Sequence, residues 1–272
     1  MNQITIESGR AEKQYWRDLW RYKELFYFLA WRDILVRYKQ TVVGIVWGVL
    51  RPLLTMLILT VIFGKLAKMP SGSVPYPVMV FAGLLPWQFF ATALSESGNS
   101  LVGNSNMISK VYFPRLIVPA SSVITSLVDF LISAVLLALT MVWFQYLPTS
   151  RVFLLPLFVL LALTAAFGTG LWISALMVRY RDFRFIVPFM IQFGLYLSPV
   201  GFTSSVVPEQ WRFVYSINPM VGVIDGFRWA LLGGEHQLYV PGLLLSIGMV
   251  LLITWYGLRY FRHTERTFAD VI

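Results

Sequence analysis

Few side chains in this 272-residue sequence could make or break bonds. It holds no cysteine, so thiolate chemistry, disulfides and cysteine metal sites are excluded. His236 and His263 stand far apart and unaccompanied, which argues against a metal or an acid/base pair. No G-x-x-x-x-G-K-[ST] phosphate loop is present, so the chain cannot be its own P-loop ATPase. Two ionisable residues fall inside apolar stretches, Asp129 and Arg51. Asp129 could relay protons. The simpler expectation is a buried structural hydrogen bond or a pair with a base such as Arg51. Asp182 sits among Arg179, Arg181 and Arg184, a pattern that a local salt-bridged turn explains. No catalytic residue and no metal site is expected.

The elements that carry these groups are apolar. Of the residues, 57% are hydrophobic and 13% charged, against roughly a quarter charged in soluble domains. Several apolar runs are long enough to cross a membrane. Six spans are expected: 42–66, 75–97, 116–146, 152–178, 185–202 and 239–260. The fold class is therefore an all-α integral membrane protein, with a cytoplasmic arm over 1–40 and one six-span domain over 41–272. The first forty residues lack a signal-peptide pattern, so the first span should act as the insertion signal. Residues 1–9 are expected to be disordered.

Within the arm, Tyr27, Phe28, Trp31, Ile34, Leu35 and Tyr38 follow helical spacing. Lys23, Glu24, Arg32, Asp33, Arg37 and Lys39 fall largely elsewhere, and Asp33 can pair with Arg37 at i,i+4. This describes an interfacial amphipathic helix. Arg51-Pro52 interrupts the first span. An arginine at that depth must snorkel, pair or face water. Residues 98–115 are Asn/Ser-rich and read as a loop with a short helix, closed by Pro114. Small residues in the second half of the fourth span permit close helix packing. Residues 203–238 are too polar for a span and too apolar for an ordinary loop. Pro208 and Pro219 each suit a helix start, Asn218 suits an N-cap, and Gly233-Gly234 ends the second piece. Two short re-entrant helices in the outer membrane face are expected there.

The net charge of +9 would suggest nucleic acid in a soluble protein; here it marks the cytoplasmic side. Sixteen Lys/Arg fall in the arm, the 98–115 loop, the 179–184 turn and the C-terminal end; five fall on the other side. Both termini are then cytoplasmic and residues 203–238 face outward. Aromatic residues make up 16% of the chain. Interfacial belts account for most of them, although Trp47, Trp87, Phe89, Phe90 or Tyr196 could instead pack against sugar rings.

Several segments carry a resemblance as an ordered set: R-Y-K-Q-T-V-V-G-I-V-W at 37–47, G-L-L-P-W at 83–87 and I-S-K-V-Y-F-P-R at 108–115. V-R-Y-R-D-F-R at 178–184, Y-L-S-P-V at 196–200, N-P-M at 218–220 and G-F-R-W at 226–229 complete it. Together they resemble the membrane permeases of ABC-2 type polysaccharide exporters, the class that exports O-antigen, capsule and teichoic acid. The resemblance implies a homodimer in the cytoplasmic (inner) membrane, bound to two copies of an ABC nucleotide-binding subunit. ATP and Mg2+ would reside on that partner, with no cofactor on this chain. Lipids and a glycan on undecaprenyl diphosphate would be its other partners. Contact with the ATPase would fall to the arm, the 104–115 loop and the 179–184 turn, through Arg32, Arg37, Asn106, Lys110, Tyr112, Arg115, Arg181 and Asp182. Pro208, Trp211, Asn218, Pro219 and Arg228 would belong to the outward gate. Lys39, Arg51, Trp47, Trp87, Phe89 and Tyr196 are candidates for the substrate path, the cations with Arg37 toward the diphosphate. Three other readings fit less well: another amphiphile as cargo, a lipid-linked glycosyltransferase, and a proton-driven flippase. The glycosyltransferase would need a tighter acid cluster than Glu209, Asp225, Glu235 and His236. The flippase would need more intramembrane ionisable groups than Arg51 and Asp129.

Overall fold

The protein is described as a computed structural model covering residues 12–39, 42–233 and 237–268. Residues 1–9, the 40/41 boundary, Gly234, Glu235 and His236 lie outside the described residues. Among the described residues every regular element is helical. In chain order these are α1 (Glu12–Arg21), α2 (Lys23–Tyr38), α3 (Val42–Leu59), α4 (Tyr76–Gly103), α5 (Ser105–Lys110) and α6 (Ile117–Trp143). Then follow α7 (Leu155–Arg179), α8 (Phe183–Leu197), α9 (Glu209–Tyr215), α10 (Pro219–Leu232) and α11 (Val240–Thr264). A π-helical stretch, Thr60–Leu66, prolongs α3.

Five helical stretches are long and apolar enough to span a bilayer: Val46–Leu66, Tyr76–Gly103, Ile117–Trp143, Ser150–Arg179 and Val240–Thr267. α8 is shorter. Its 15 residues reach about 22 Å at ~1.5 Å per residue, less than the ~30 Å hydrocarbon core. The expected span 185–202 breaks early because Ser198 is extended ahead of Pro199, and proline disfavours helix in the residue before it.

α4 is the central helix, flanked by α6, α7 and α10. Its interior run Val78–Leu85 is almost wholly buried. The small residues of α7 serve the packing foreseen for them: a Cβ on Gly170 would meet Ser97 Oγ of α4 at 2.6 Å. On the other side of α7, a Cβ on Gly257 of α11 would run into the Gly168 carbonyl oxygen. Backbones can approach this closely only where side chains are missing.

α4 runs through residues 98–103, expected as loop. Local polar bonds keep that turn helical. Asn99 Nδ2 donates to the Ser95 carbonyl at 2.8 Å and Ser100 Oγ to that of Ser97 at 2.7 Å. Their side chains thus satisfy the helix's own carbonyls rather than competing with it.

Of two apolar clusters, the larger runs along the packed helices from Val74 to Met177. The smaller marks one end and gathers Leu29 of α2, Leu101 of α4, Ile108 of α5, Phe113, the start of α6, Ala175 and Val178 of α7, Phe261 and Phe268. This is the basic end, and Tyr15 and Leu19 of α1 pack against the same cluster. At the far end α10 packs on α4, α11 and the 150–154 turn, with Thr149 N–H donating to the Leu231 carbonyl at 3.1 Å. α8 leaves the basic end beside Arg179, and the segment just after it reaches the far end, where Tyr76 Oη donates to the Gly201 carbonyl at 2.6 Å. The 203–233 segment therefore lies at the end opposite Arg179–Arg184.

Candidate functional site

A cavity of about 640 Å³ opens among α2, α3, α4, α6 and α8. Rings from Trp47, Trp87, Phe89 and Phe130 line it, together with Gln88, Gln192, Thr55 and Ser95. Four charged residues share the wall: Arg37, Arg51, Glu96 and Asp129. Flat rings interleaved with amides and hydroxyls suit a ligand that presents C–H faces and hydroxyl edges. Trp47 and Arg51 reach the wall from successive turns of α3, and the largely buried Pro52 beside them lines it too.

On the cavity wall one cation serves two acids. The Arg37 guanidinium, from the last turn of α2, pairs with Glu96 of α4 and Asp129 of α6. Tyr38 Oη also donates to Asp129. Burial, then the hydrogen bond to Asp129, pushes the Tyr38 phenol above its ordinary range, so it stays a neutral donor at physiological pH. This arrangement corrects two expected pairs. Asp33 meets its neighbour Arg32 at 2.7 Å, not Arg37. Asp129 meets Arg37, not Arg51, which makes no ion pair with any described residue. Glu96 is a third ionisable residue inside an apolar helix, beyond the two counted from sequence. An acid near the end of a long apolar run was the available signal.

The remaining substrate-path candidates separate. Trp47, Trp87, Phe89 and Arg51 line the cavity. Phe89 is nevertheless mostly core, edge-on to Phe130 with ring centroids 5.5 Å apart. Tyr196 lies outside the cavity lining, exposed on α8, and Lys39 is exposed just after α2.

At the basic end the arm is bonded to the 104–115 loop. Arg32 donates to Asn104 Oδ1 at 3.0 Å, and Tyr22 Oη to the Tyr112 carbonyl at 3.4 Å. α2 turns Leu29 and Ala30 into the protein, whereas Tyr27, Phe28 and Trp31 face outward. The loop buries Ile108 and Phe113 and exposes Asn106, Lys110 and Tyr112. Arg115 is half-buried and tied to Glu265. Arg181 and Asp182 are exposed. Asp182 makes no ion pair with a described residue, contrary to the salt-bridged turn expected; it stands at the N-terminus of α8, where the helix dipole favours a negative charge.

At the far end Asn218 caps α10 through its side chain, accepting from Met220 N–H at 3.0 Å. Pro219 takes the first helical position and Gly233 ends the helix with φ +58. Pro208 precedes α9, whose Trp211 is exposed. Arg228 is 2% exposed. Its guanidinium donates to the carbonyls of Met79 at 3.2 Å, Val200 at 2.7 Å and Phe202 at 2.6 Å. It staples α10 to α4 and to the unwound stretch after α8. A Cβ at Gly83 would sit 2.6 Å from its Nη2, which explains a glycine there.

Five helical stretches long and apolar enough to span a bilayer, packed beside a charged and aromatic cavity, mark a polytopic α-helical membrane protein. The profile of the ABC-2 type transporter family matches residues 24–232, and the chain belongs to that family. It is 28% identical over 260 residues to the O-antigen export system permease protein RfbA of Myxococcus xanthus, covering 94% of this chain and 98% of that one. A Klebsiella pneumoniae protein of the same name is 28% identical over 250 residues, 92% of this chain and 95% of its own. The polysialic acid transport protein KpsM of Escherichia coli is 25% identical over 241 residues, 86% and 91% of the two chains.

Proposed function

We propose that this chain is the permease of an ABC exporter that carries a lipid-linked polysaccharide, an O-antigen-like glycan on undecaprenyl diphosphate. It works as a homodimer in the cytoplasmic membrane, with six passes counting α8, both termini cytoplasmic and α9–α10 as outward gate helices. Two copies of a separate subunit bind and hydrolyse ATP with Mg2+; the permease makes no bond itself. The observation that carries the reading is the Arg37 bridge, which links the basic end to the wall of a sugar-compatible cavity. Closure of the ATPases moves the 104–115 loops and the arms, the bridge passes that movement to α4 and α6, and the glycan advances. Only contacts that differ between nucleotide states can shift such an equilibrium. A capsular chain is the second reading, favoured by the likeness to the polysialic acid transporter.

The experiment is reconstitution of the chain, with an ABC ATPase that it captures, in proteoliposomes loaded with lipid-linked glycan. Glycan should reach the opposite face only when ATP and both proteins are present. Transport by this chain alone would sink the reading.

A further inference from the structure

A carboxylate just past α11 holds a loop 150 residues earlier in the chain. Glu265 opens a single 3-10 turn, Glu265–Thr267. Its Oε1 accepts the Arg115 backbone N–H at 3.2 Å. Tyr15 Oη lies 2.9 and 3.1 Å from the two carboxylate oxygens. The Arg115 guanidinium returns to the main-chain carbonyl of Glu265. Arg262 stacks over the Tyr15 ring, 3.4 Å from its centroid. Phe268 seats the tail, fully buried edge-on against Phe261, in the cluster that holds Ile108 and Phe113 of the loop. Three segments remote in sequence meet on one side chain.

The position of that contact matters mechanically. The loop presents Asn106, Lys110, Val111 and Tyr112 to the outside, turns at Pro114 and enters α6 at Ile117. A push on its exposed part reaches α6 only if the exit does not hinge. Arg115 N–H is the backbone donor at that exit, and its acceptor comes from the tail.

We propose that Glu265 is a positioning residue for the 104–115 loop. Its carboxylate locks the exit at Arg115, so displacement of Asn106–Tyr112 is delivered to α6 rather than absorbed at Pro114. The coupling role rests on the function proposed above; the contact does not. An acceptor oxygen is what the geometry requires, so Glu265→Gln preserves the lock and Glu265→Ala removes it.

The first measurement is amide hydrogen exchange across residues 111–118 in the purified permease. Exchange should rise about fivefold in Glu265→Ala, the scale of one lost hydrogen bond, and match wild type in Glu265→Gln. Unchanged exchange in the alanine variant overturns the lock. The second is glycan moved per ATP hydrolysed in the assembled exporter. The ratio should fall several-fold in Glu265→Ala at unchanged complex yield and stay near wild type in Glu265→Gln. A wild-type ratio in the alanine variant overturns the proposal. If Glu265→Ala cannot be purified, Tyr15→Phe replaces it: exchange should rise by a smaller factor, and unchanged exchange again overturns the lock. Should wild-type permease recruit no ATPase, the functional reading fails while the exchange measurement still decides the lock.

Discussion

The Arg37 guanidinium stands between Glu96 and Asp129, acids on two different helices, and so fastens the arm helix to the wall of the cavity. The three side chains are 27%, 47% and 32% exposed, so solvent screening keeps each pair near ~1 kcal/mol or below. Its removal would leave two carboxylates on one wall without their shared cation. Arg37→Ala breaks both pairs and should lower the melting temperature by a few degrees, at about 2–4 °C for each kcal/mol lost in a chain of this size. Export should fall by more than that loss of folded protein explains. A melting curve beside a transport assay at matched folded protein separates the two. Export that tracks stability alone would remove Arg37 from the path of movement.

The same bridge bears on the proton-relay reading of Asp129. A side chain held by Arg37 and Tyr38 is already engaged in structure. Asp129→Asn keeps an acceptor for the Tyr38 hydroxyl but loses the ion pair. It should weaken assembly and lower export about as Arg37→Ala does, with a pH profile like that of wild type. A folded Asp129→Asn protein with no transport, beside an Arg37→Ala protein that still transports, would reinstate the relay.

Arg228 supplies the largest predicted stability effect. Its three carbonyl acceptors are main-chain groups of α4 and the 200–202 stretch, and among the described residues no other side chain donates to them. Hydrogen bonds to a charged group contribute about 1.5–3 kcal/mol each, and a buried carbonyl left without a donor costs about 1–3 kcal/mol. Arg228→Met should cost several times what Arg37→Ala does, read as loss of membrane-extracted protein on size exclusion. Gly83→Ala should resemble it, because the added methyl group enters the space of Nη2. A well-folded Gly83→Ala protein would show that the guanidinium has room to move.

Much of this fold was legible in the sequence because apolar periodicity and end signals are local. Asn218, Pro219 and Gly233 bound α10 as their chemistry demands. The Asn/Ser-rich run at 98–103 misled because its side chains bond backward onto α4, a choice that its burial against α7 enforces. Pairings failed for a different reason. Arg37 can reach Asp33 one turn away, yet tertiary packing presents Glu96 and Asp129 instead. Spacing within one helix cannot show what a neighbouring helix offers. Arg228 shows the same limit: nothing local distinguishes a gate arginine from a buried staple.

The exposed face of the 104–115 loop should be separable from its anchors. Lys110 and Tyr112 are exposed and carry no side-chain bond to a described residue, whereas Arg115 is tied to Glu265. Lys110→Glu and Tyr112→Ala should leave melting and oligomer size unchanged but weaken capture of the ATPase about tenfold or more, as removal of interface anchors does. Wild-type capture by both variants would move the docking surface elsewhere.

Arg51 remains the cavity cation without a described partner, one helical turn from Trp47 on the same wall. A paired arginine would be needed for stability; an unpaired one is free to meet a ligand. Arg51→Ala should therefore change melting little, within the range of ordinary surface substitutions. If Arg51 meets an anionic headgroup, Arg51→Ala should raise the lipid-linked glycan concentration needed for half-maximal transport. Arg51→Lys should recover part of that loss, since lysine keeps the charge but not the planar fork suited to phosphate oxygens. Arg51→Glu should do worst, because a carboxylate repels the same headgroup. Measured against a neutral-headed glycolipid, all three variants should lie close to wild type. Equal losses with charged and neutral substrates would mean that Arg51 shapes the cavity rather than reading the charge of what enters it.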